Sequence, residues 1–327
     1  MKRKGIIILV AAIVILALSG IICALLINMH NQIPRFLPKE KTQINYNNYV
    51  AGNSVDYRDG RFAWSNSSIF GAMGTVVHAD GQVQRIYGAD EQIQLLDGGT
   101  AFLNRGVLFV NKESRIRVAE NVDSFVAIGA SILYLQVSDS YESTLVWYDV
   151  QAQTSKTVVS NVEAYCVDEH RLIVVDDKGG VTLYTETAVE KKIEIEIPSY
   201  PFAVMLQGEN LLYKSANQLC LLNLDTGAKR ELSLSADGYS NHRIRFICDK
   251  ERIVYSFQAT RTDGSIVTDA ESSDNGVWIV DPVILETQKL CEETFGELYL
   301  FGDTLIGRDD DGAYQISMKT GELTRIS

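Results

Sequence analysis

Short apolar runs punctuated by Gly, Asp and Asn recur along this chain in mutual register, at a period of about forty residues. The runs VVHADG, VLFVNK, ILYLQV, LIVVDD, LLYKSA, IVYSFQ and LIGRDD begin near residues 76, 107, 132, 172, 211, 253 and 305. Several follow an earlier apolar run and a polar turn (FVAIGAS, AYCVDEH, AVMLQGEN, FICDKE, LYLFGD). Several precede a third run (TLVWYDVQAQT, VTLYTETA, LCLLNLDTG, VWIVDPV, AYQISMKTG) and a fourth (KTVVSN, KKIEIEI, KRELSL, LTRIS). Such runs read as strands, and no window beyond residue 54 sustains a helical period.

Four strands per unit at this spacing predict an all-β chain folded as a β-propeller, with seven blades counted and six or eight as the neighbouring options. A lone four-stranded meander with two partly apolar faces cannot bury both. Blades arranged radially cover each other's faces and leave short, protected edges. Trp147, Tyr148, Tyr184, Tyr213, Tyr255, Trp278, Tyr299 and Tyr314 fall inside these strands, where blade packing accounts for them without a ligand.

Ahead of the repeats, residues 5–27 (GIIILVAAIVILALSGIICALLI) form 23 uncharged positions, about 34 Å as a helix and enough to span a bilayer. The run is longer than the ~7–15 apolar residues of a cleavable signal peptide. An acylated Cys23 would need small residues before it, where Ile21 and Ile22 stand. The expected organisation is a cytoplasmic basic tail (1–4), a transmembrane helix (5–27), a polar stalk (28–53) and the propeller (54–327). Lys2, Arg3 and Lys4 place the N-terminus inside and the large domain on the extracytoplasmic side of the cell membrane, with the bilayer as the helix's partner.

The net charge is −12, and the first 41 residues contribute about +5, which leaves about −17 on the remainder. That balance excludes a polyphosphate partner, so no nucleic acid is expected. Cys166, Cys220, Cys248 and Cys291 lie far apart in apolar contexts without CxxC spacing and read as free, largely buried thiols.

The turns Asp225-Thr226-Gly227 and Lys319-Thr320-Gly321 resemble those of bacterial extracytoplasmic propellers of the TolB-like and YWTD-like kind, in particular single-anchor propeller proteins of unknown function. The resemblance covers residues 54–327. It implies a scaffold and transfers no catalytic residue.

Motifs for serine hydrolysis, zinc catalysis and nucleotide binding are missing, and no cofactor, metal or catalytic residue is assigned. His30, His78, His170 and His242 are isolated. The acidic turns at 308–312 (RDDDG) and 176–180 (DDKGG) lack the D-x-[DN]-x-[DN]-G order that arranges oxygens around calcium. The most distinctive break in the repeat is the polar insertion 259–276 (ATRTDGSIVTDAESSDNG), between two strands of the sixth unit. Long loops on rigid scaffolds are where recognition is usually placed. Arg261, Asp263, Asp269, Glu271 and Asp274 are therefore the candidate partner-binding residues, with the shorter excursion 138–143 (SDSYES) as a companion on the same face.

The expected function is a non-enzymatic binding or scaffolding module for a protein, peptide or envelope glycan. The alternative is an envelope glycan hydrolase or lyase acting through channel-facing carboxylates such as Asp168, Asp249 or Glu297.

Overall fold

The computed structural model describes residues 19, 54–68, 71–78, 80–89, 92–167, 171–185, 190–196, 204–215, 217–234, 241–261, 263–268, 272–309 and 312–325. The segment 5–27 lies outside them apart from Ser19, which is helical and exposed. Among the described residues no helix is long and apolar enough to cross a membrane.

The strands form seven four-stranded antiparallel sheets. Blade 1 holds β1 (Val55–Arg58), β2 (Arg61–Ser68), β3 (Gly71–Val77) and β4 (Val83–Tyr87); blade 2 holds β5 (Ile93–Leu96), β6 (Gly99–Asn104), β7 (Val107–Asn111) and β8 (Arg115–Ala119). Blade 3 holds β9 (Val122–Ile128), β10 (Ser131–Val137), β11 (Ser143–Asp149) and β12 (Thr154–Ser160); blade 4 holds β13 (Val162–Val167), β14 (Arg171–Asp176), β15 (Gly180–Thr185) and β16 (Glu190–Glu196). Blade 5 holds β17 (Val204–Gln207), β18 (Asn210–Ser215), β19 (Gln218–Asn223) and β20 (Lys229–Ser233). Blade 6 holds β21 (Asn241–Cys248), β22 (Ile253–Thr260), β23 (Gly276–Val280) and β24 (Thr287–Cys291); blade 7 holds β25 (Glu297–Phe301), β26 (Thr304–Asp309), β27 (Gly312–Ser317) and β28 (Leu323–Arg325).

The expected seven-bladed propeller is present, with one correction to the strand assignment. Five of the runs stacked in the sequence are second strands, but those at 76 and 107 fall in β3 and β7, which are third strands. The true second strands of blades 1 and 2 read RFAWSNSS and GTAFLN. The polar half of one and the Gly-Thr start and Asn end of the other, which leave it an apolar run of only three residues, hid them from an apolar-run criterion.

First strands of successive blades approach one another (β1 and β5, β5 and β9, β13 and β17, β17 and β21, β21 and β25), so they form the inner wall. Apolar clusters then occupy the space between each pair of neighbouring blades. Ile86, Ile93 and Phe102 join blades 1 and 2, while Leu103, Phe125 and Tyr134 join blades 2 and 3. Leu133, Tyr165 and Val174 join blades 3 and 4, and Ile173, Leu206 and Tyr213 join blades 4 and 5. Leu212, Phe246, Phe257 and Leu298 run through blades 5, 6 and 7, and Val55, Trp64, Phe301 and Ile306 bring blade 7 against blade 1. Each fully buried side chain of this size contributes about 1.5–3 kcal/mol relative to exposure, so every blade depends on both neighbours.

Inner strands also have open backbone edges, and side-chain amides satisfy part of them. Gln92 and Gln94 of blade 2 are buried and act as surrogate peptide groups for β9. Gln92 Nε2 donates to Asp123 O (2.9 Å) and its Oε1 accepts from Phe125 N (3.3 Å). Gln94 Nε2 donates to Phe125 O (3.1 Å) and its Oε1 accepts from Ala127 N (2.7 Å). Asp56 does the same for β5, accepting from Leu95 N at 2.7 Å. Arginines at the start of second strands fasten turns of the next blade: Arg61 donates to Leu96 O, Arg171 to Gly208 O and Arg252 to Gly302 O, at 2.9, 2.8 and 2.8 Å. Cys166, Cys220 and Cys248 are buried free thiols, and Cys291 is half-buried.

Candidate functional site

In an antiparallel four-stranded blade, the loop between second and third strands emerges at the same end of the ring as the start of the first strand. The insertion, between β22 and β23, and the excursion 138–142, between β10 and β11, therefore share one end, as their spacing predicts. Asp249, in the β21–β22 turn, lies at the opposite end.

The described part of the insertion is folded. A bridge pairs Thr260 with Ile266, and Val267 N donates back to Ala259 O at 3.0 Å. Val267 and Asn275 are both fully buried, and Val267 joins the apolar cluster of blades 5 to 7. Asn275 is the keystone: its Oδ1 accepts from Ala259 N (2.8 Å) while its Nδ2 donates to Val267 O (2.8 Å). Trp278 Nε1 donates to Asp274 O (3.0 Å) and Lys289 Nζ to Ser273 O (2.7 Å), which tie the far limb to blade 6.

Three predicted site residues can be located on this platform. Arg261 is exposed and its guanidinium donates to Ile266 O at 2.9 Å. Asp263 accepts from both Ser265 N (2.9 Å) and Ser265 Oγ (2.7 Å), and the serine hydroxyl bond first, then the backbone bond, holds its carboxyl below the usual carboxylate value. Asp274 is half-buried at the base of the far limb. Asp269 and Glu271 lie outside the described residues. Ile266, 47% exposed, stands between Arg261 and the buried Val267 and was not among the predicted residues. Its signal was available as the apolar pair Ile266-Val267 in an otherwise polar insertion.

Of the proposed channel carboxylates, Asp249 and Glu297 do not converge. Glu297 begins β25 at the insertion-bearing end, whereas Asp249 follows β21 at the other; a five-residue strand separates such ends by roughly 17 Å, beyond the ~5–9.5 Å of glycosidase pairs. Each also has an arginine: Asp249 Oδ2 lies 2.8 Å from Arg252 Nε, and Glu297 Oε2 lies 3.5 Å from an Arg308 guanidinium nitrogen. Asp168 lies outside the described residues. The turn at 176–180 spends one carboxylate on itself, since Asp176 Oδ1 accepts from Lys178 N and Gly180 N at 2.9 and 2.8 Å. Among the described residues no three His, Cys, Asp or Glu side chains gather as a metal site.

No family model and no curated protein matches this chain. Solved structures do match it in fold. The computationally designed Ika8 protein is similar with a TM-score of 0.56 and 13% identity, over 86% of this chain and 87% of that one. Saccharomyces cerevisiae Sqt1 gives 0.55 and 10% identity over 85% of each chain. The extracellular domain of the putative one component system BT4673 from B. thetaiotaomicron gives 0.56 and 12% identity, over 84% of this chain and 42% of that one. These likenesses establish the propeller fold and nothing finer.

Proposed function

We propose that this chain is a membrane-anchored, extracytoplasmic binding or scaffolding module, without catalytic activity, that presents the insertion-bearing end of its ring to a protein, peptide or envelope glycan. The observation that carries this reading is the construction of the insertion. Its base is fixed by Asn275 and Val267, while Arg261, Asp263 and Ile266 are offered to solvent on a backbone already ordered. A preordered loop loses little conformational entropy on association, which favours recognition. The anchor rests on the 23 uncharged residues at 5–27 and the basic triplet before them. The hydrolase alternative draws no support from Asp249 and Glu297, which stand at opposite ends of the ring and are each paired with arginine.

The test is capture from detergent-solubilised membranes with the full chain, followed by mass spectrometry. The variant Arg261→Ser/Asp263→Ser/Ile266→Ser should lose the partners that wild type retains. Equal recovery by both proteins would contradict the assignment of this loop. Deleting the whole of 259–276 is a poor test, because it removes the buried Ala259, Val267 and Asn275. Resistance of the full chain to alkaline extraction from membranes tests the anchor.

A further inference from the structure

Arg171, Arg252 and Arg308, in second strands or the turns before them, each have a carboxylate: Glu209 at 2.8 Å, Asp249 at 2.8 Å and Glu297 at 3.5 Å. Half-buried Lys289 is likewise paired with Glu292. Lys214 departs from this pattern. Near the insertion-bearing end of β18, it shares a strand face with Leu212, which packs in the apolar cluster of blades 5 to 7, so it faces blade 6. Lys214 is half-buried, and among the described residues its ammonium has neither a carboxylate nor a hydrogen-bond partner. Its charged neighbour is another cation. Burial first, then the Arg245 guanidinium, lowers the Lys214 ammonium below the ordinary lysine value.

Arg245, on β21, is oriented without being neutralised. Its Nε donates to Gly296 O and its Nη1 to Ile244 O, both at 3.1 Å. Those two carbonyls fix the plane of the guanidinium and leave Nη2 without a partner among the described residues. Arg243 stands two residues earlier on the same strand face, exposed and likewise unpartnered among the described residues. Glu297, the carboxylate that begins the next inner strand, is taken by Arg308. Three cations on two neighbouring blades thus share one end of a domain whose net charge is about −17. A partly buried cation set against another cation, with no acid to offset either, destabilises the free protein and is relieved by an anion.

We propose that Lys214 and Arg245, with Arg243 at the rim, form a binding site between blades 5 and 6 for a single carboxylate, that of an acidic side chain or a chain terminus on a partner protein. A guanidinium held in plane with an unspent nitrogen matches the flat carboxylate, and the ammonium of the facing blade adds a second positive contact. The field of the whole domain repels polyanions, so the site selects a ligand that brings one or two negative charges. The inference rests on the binding-module reading and names the chemistry recognised at the insertion-bearing end, on residues separate from Arg261, Asp263 and Ile266.

The experiment uses the full chain in non-ionic detergent, with its lysines reductively methylated with carbon-13, a change that keeps their charge. The probes, at constant ionic strength, are N-acetyl-aspartate N-methylamide for a side-chain carboxylate, N-acetyl-glycine for a chain terminus and N-acetyl-asparagine N-methylamide as the neutral control. The Lys214 resonance, assigned by its loss in Lys214→Met, should move saturably with a carboxylate probe and stay still with the neutral one; the stronger of the two carboxylates identifies the source. Arg245→Gln should weaken the response about tenfold and let Lys214 titrate at higher pH, whereas Lys319→Gln, the same charge change at the opposite end, should leave both unchanged. Lys214→Met keeps the apolar stem, so it should melt at or above the wild-type temperature while losing the stabilisation that the probe gives wild type. The insertion variant Arg261→Ser/Asp263→Ser/Ile266→Ser should respond to the probes like wild type. A probe response in a chain that captures no partner from membranes leaves this site standing and overturns the module reading; capture without a probe response does the reverse. The proposal is also overturned by an equal response to the neutral probe, by equal losses in Arg245→Gln and Lys319→Gln, by a lower melting temperature in Lys214→Met, or by a stronger response to glucuronate than to either carboxylate probe.

Discussion

The Tyr299 hydroxyl lies 2.7 Å from Ser54 Oγ, a contact between residues 245 positions apart that joins the last blade to the residue preceding the first strand. Tyr299 also donates to Glu297 Oε2 at 2.6 Å, and an Arg308 guanidinium nitrogen donates to Ser54 Oγ at 2.7 Å while the group covers the Trp64 ring at 5.1 Å. Each sheet is made of four consecutive strands, so among the described residues no strand from one terminus completes the sheet of the other. Closure therefore falls to side chains: this polar cluster and the apolar contact of Tyr57 with Phe301, whose rings meet edge-on at 6.3 Å.

Tyr299→Phe keeps the ring and removes the hydroxyl, which leaves a buried serine and a carboxylate short of one partner. The expected loss is about 1–2 kcal/mol, read as a lower urea midpoint, and Ser54→Ala combined with it should cost less than the two separately. An unchanged midpoint would show that the seam does not depend on this cluster.

Gln94→Ala should destabilise by about 2 kcal/mol, because Phe125 O and Ala127 N lose the amide that satisfies them within the inner wall. Gln94→Glu tests the chemistry rather than the space: it retains the acceptor for Ala127 N but sets a carboxylate oxygen against Phe125 O. Equilibrium unfolding of Gln94→Glu with wild-type stability would contradict the role given to the amide.

Alkaline pH should unfold this protein early. Burial holds the hydroxyls of Tyr165, Tyr255 and Tyr299 above the ordinary tyrosine value of 10.0, and burial pushes the Cys291 thiol up to about 11. The folded chain keeps protons that the unfolded chain releases, so the stability from the tyrosines is complete below pH 10.0 and declines as pH rises through that value. Each such tyrosine contributes a slope of about 1.4 kcal/mol per pH unit. Tyr165→Phe should remove one increment; its hydroxyl has only a 3.5 Å contact with Ser124, so little is lost at neutral pH. Identical slopes in Tyr165→Phe and wild type between pH 10 and 11 would contradict this.

The repeat made the blade architecture legible, because alternation and turn residues are local signals that survive in sequence. Where a strand is polar along half its length, as in RFAWSNSS, the signal fails and the neighbouring β3 takes its place. The bounds of the insertion were legible for the same local reason. Its internal order was not, since that depends on Asn275 reaching Ala259 and Val267 across the loop. Glu297 shows the limit most plainly. As an isolated carboxylate at a strand start it reads as a catalytic candidate, but its own strand sets Tyr299 beside it, strand pairing sets Arg308 opposite it, and ring closure brings Ser54 to it from the other end of the domain.

The central claim is that the blade 6 insertion is a preordered display element rather than a loose excursion, and amide hydrogen exchange tests it most directly. The Ala259 and Val267 amides, bonded to Asn275 Oδ1 and Ala259 O at 2.8 and 3.0 Å, should be protected to the level of neighbouring β22 amides. Asn275→Ala should lower the protection of both by roughly a hundredfold. Exchange of these two amides in wild type at the rate of an unstructured peptide would contradict the account.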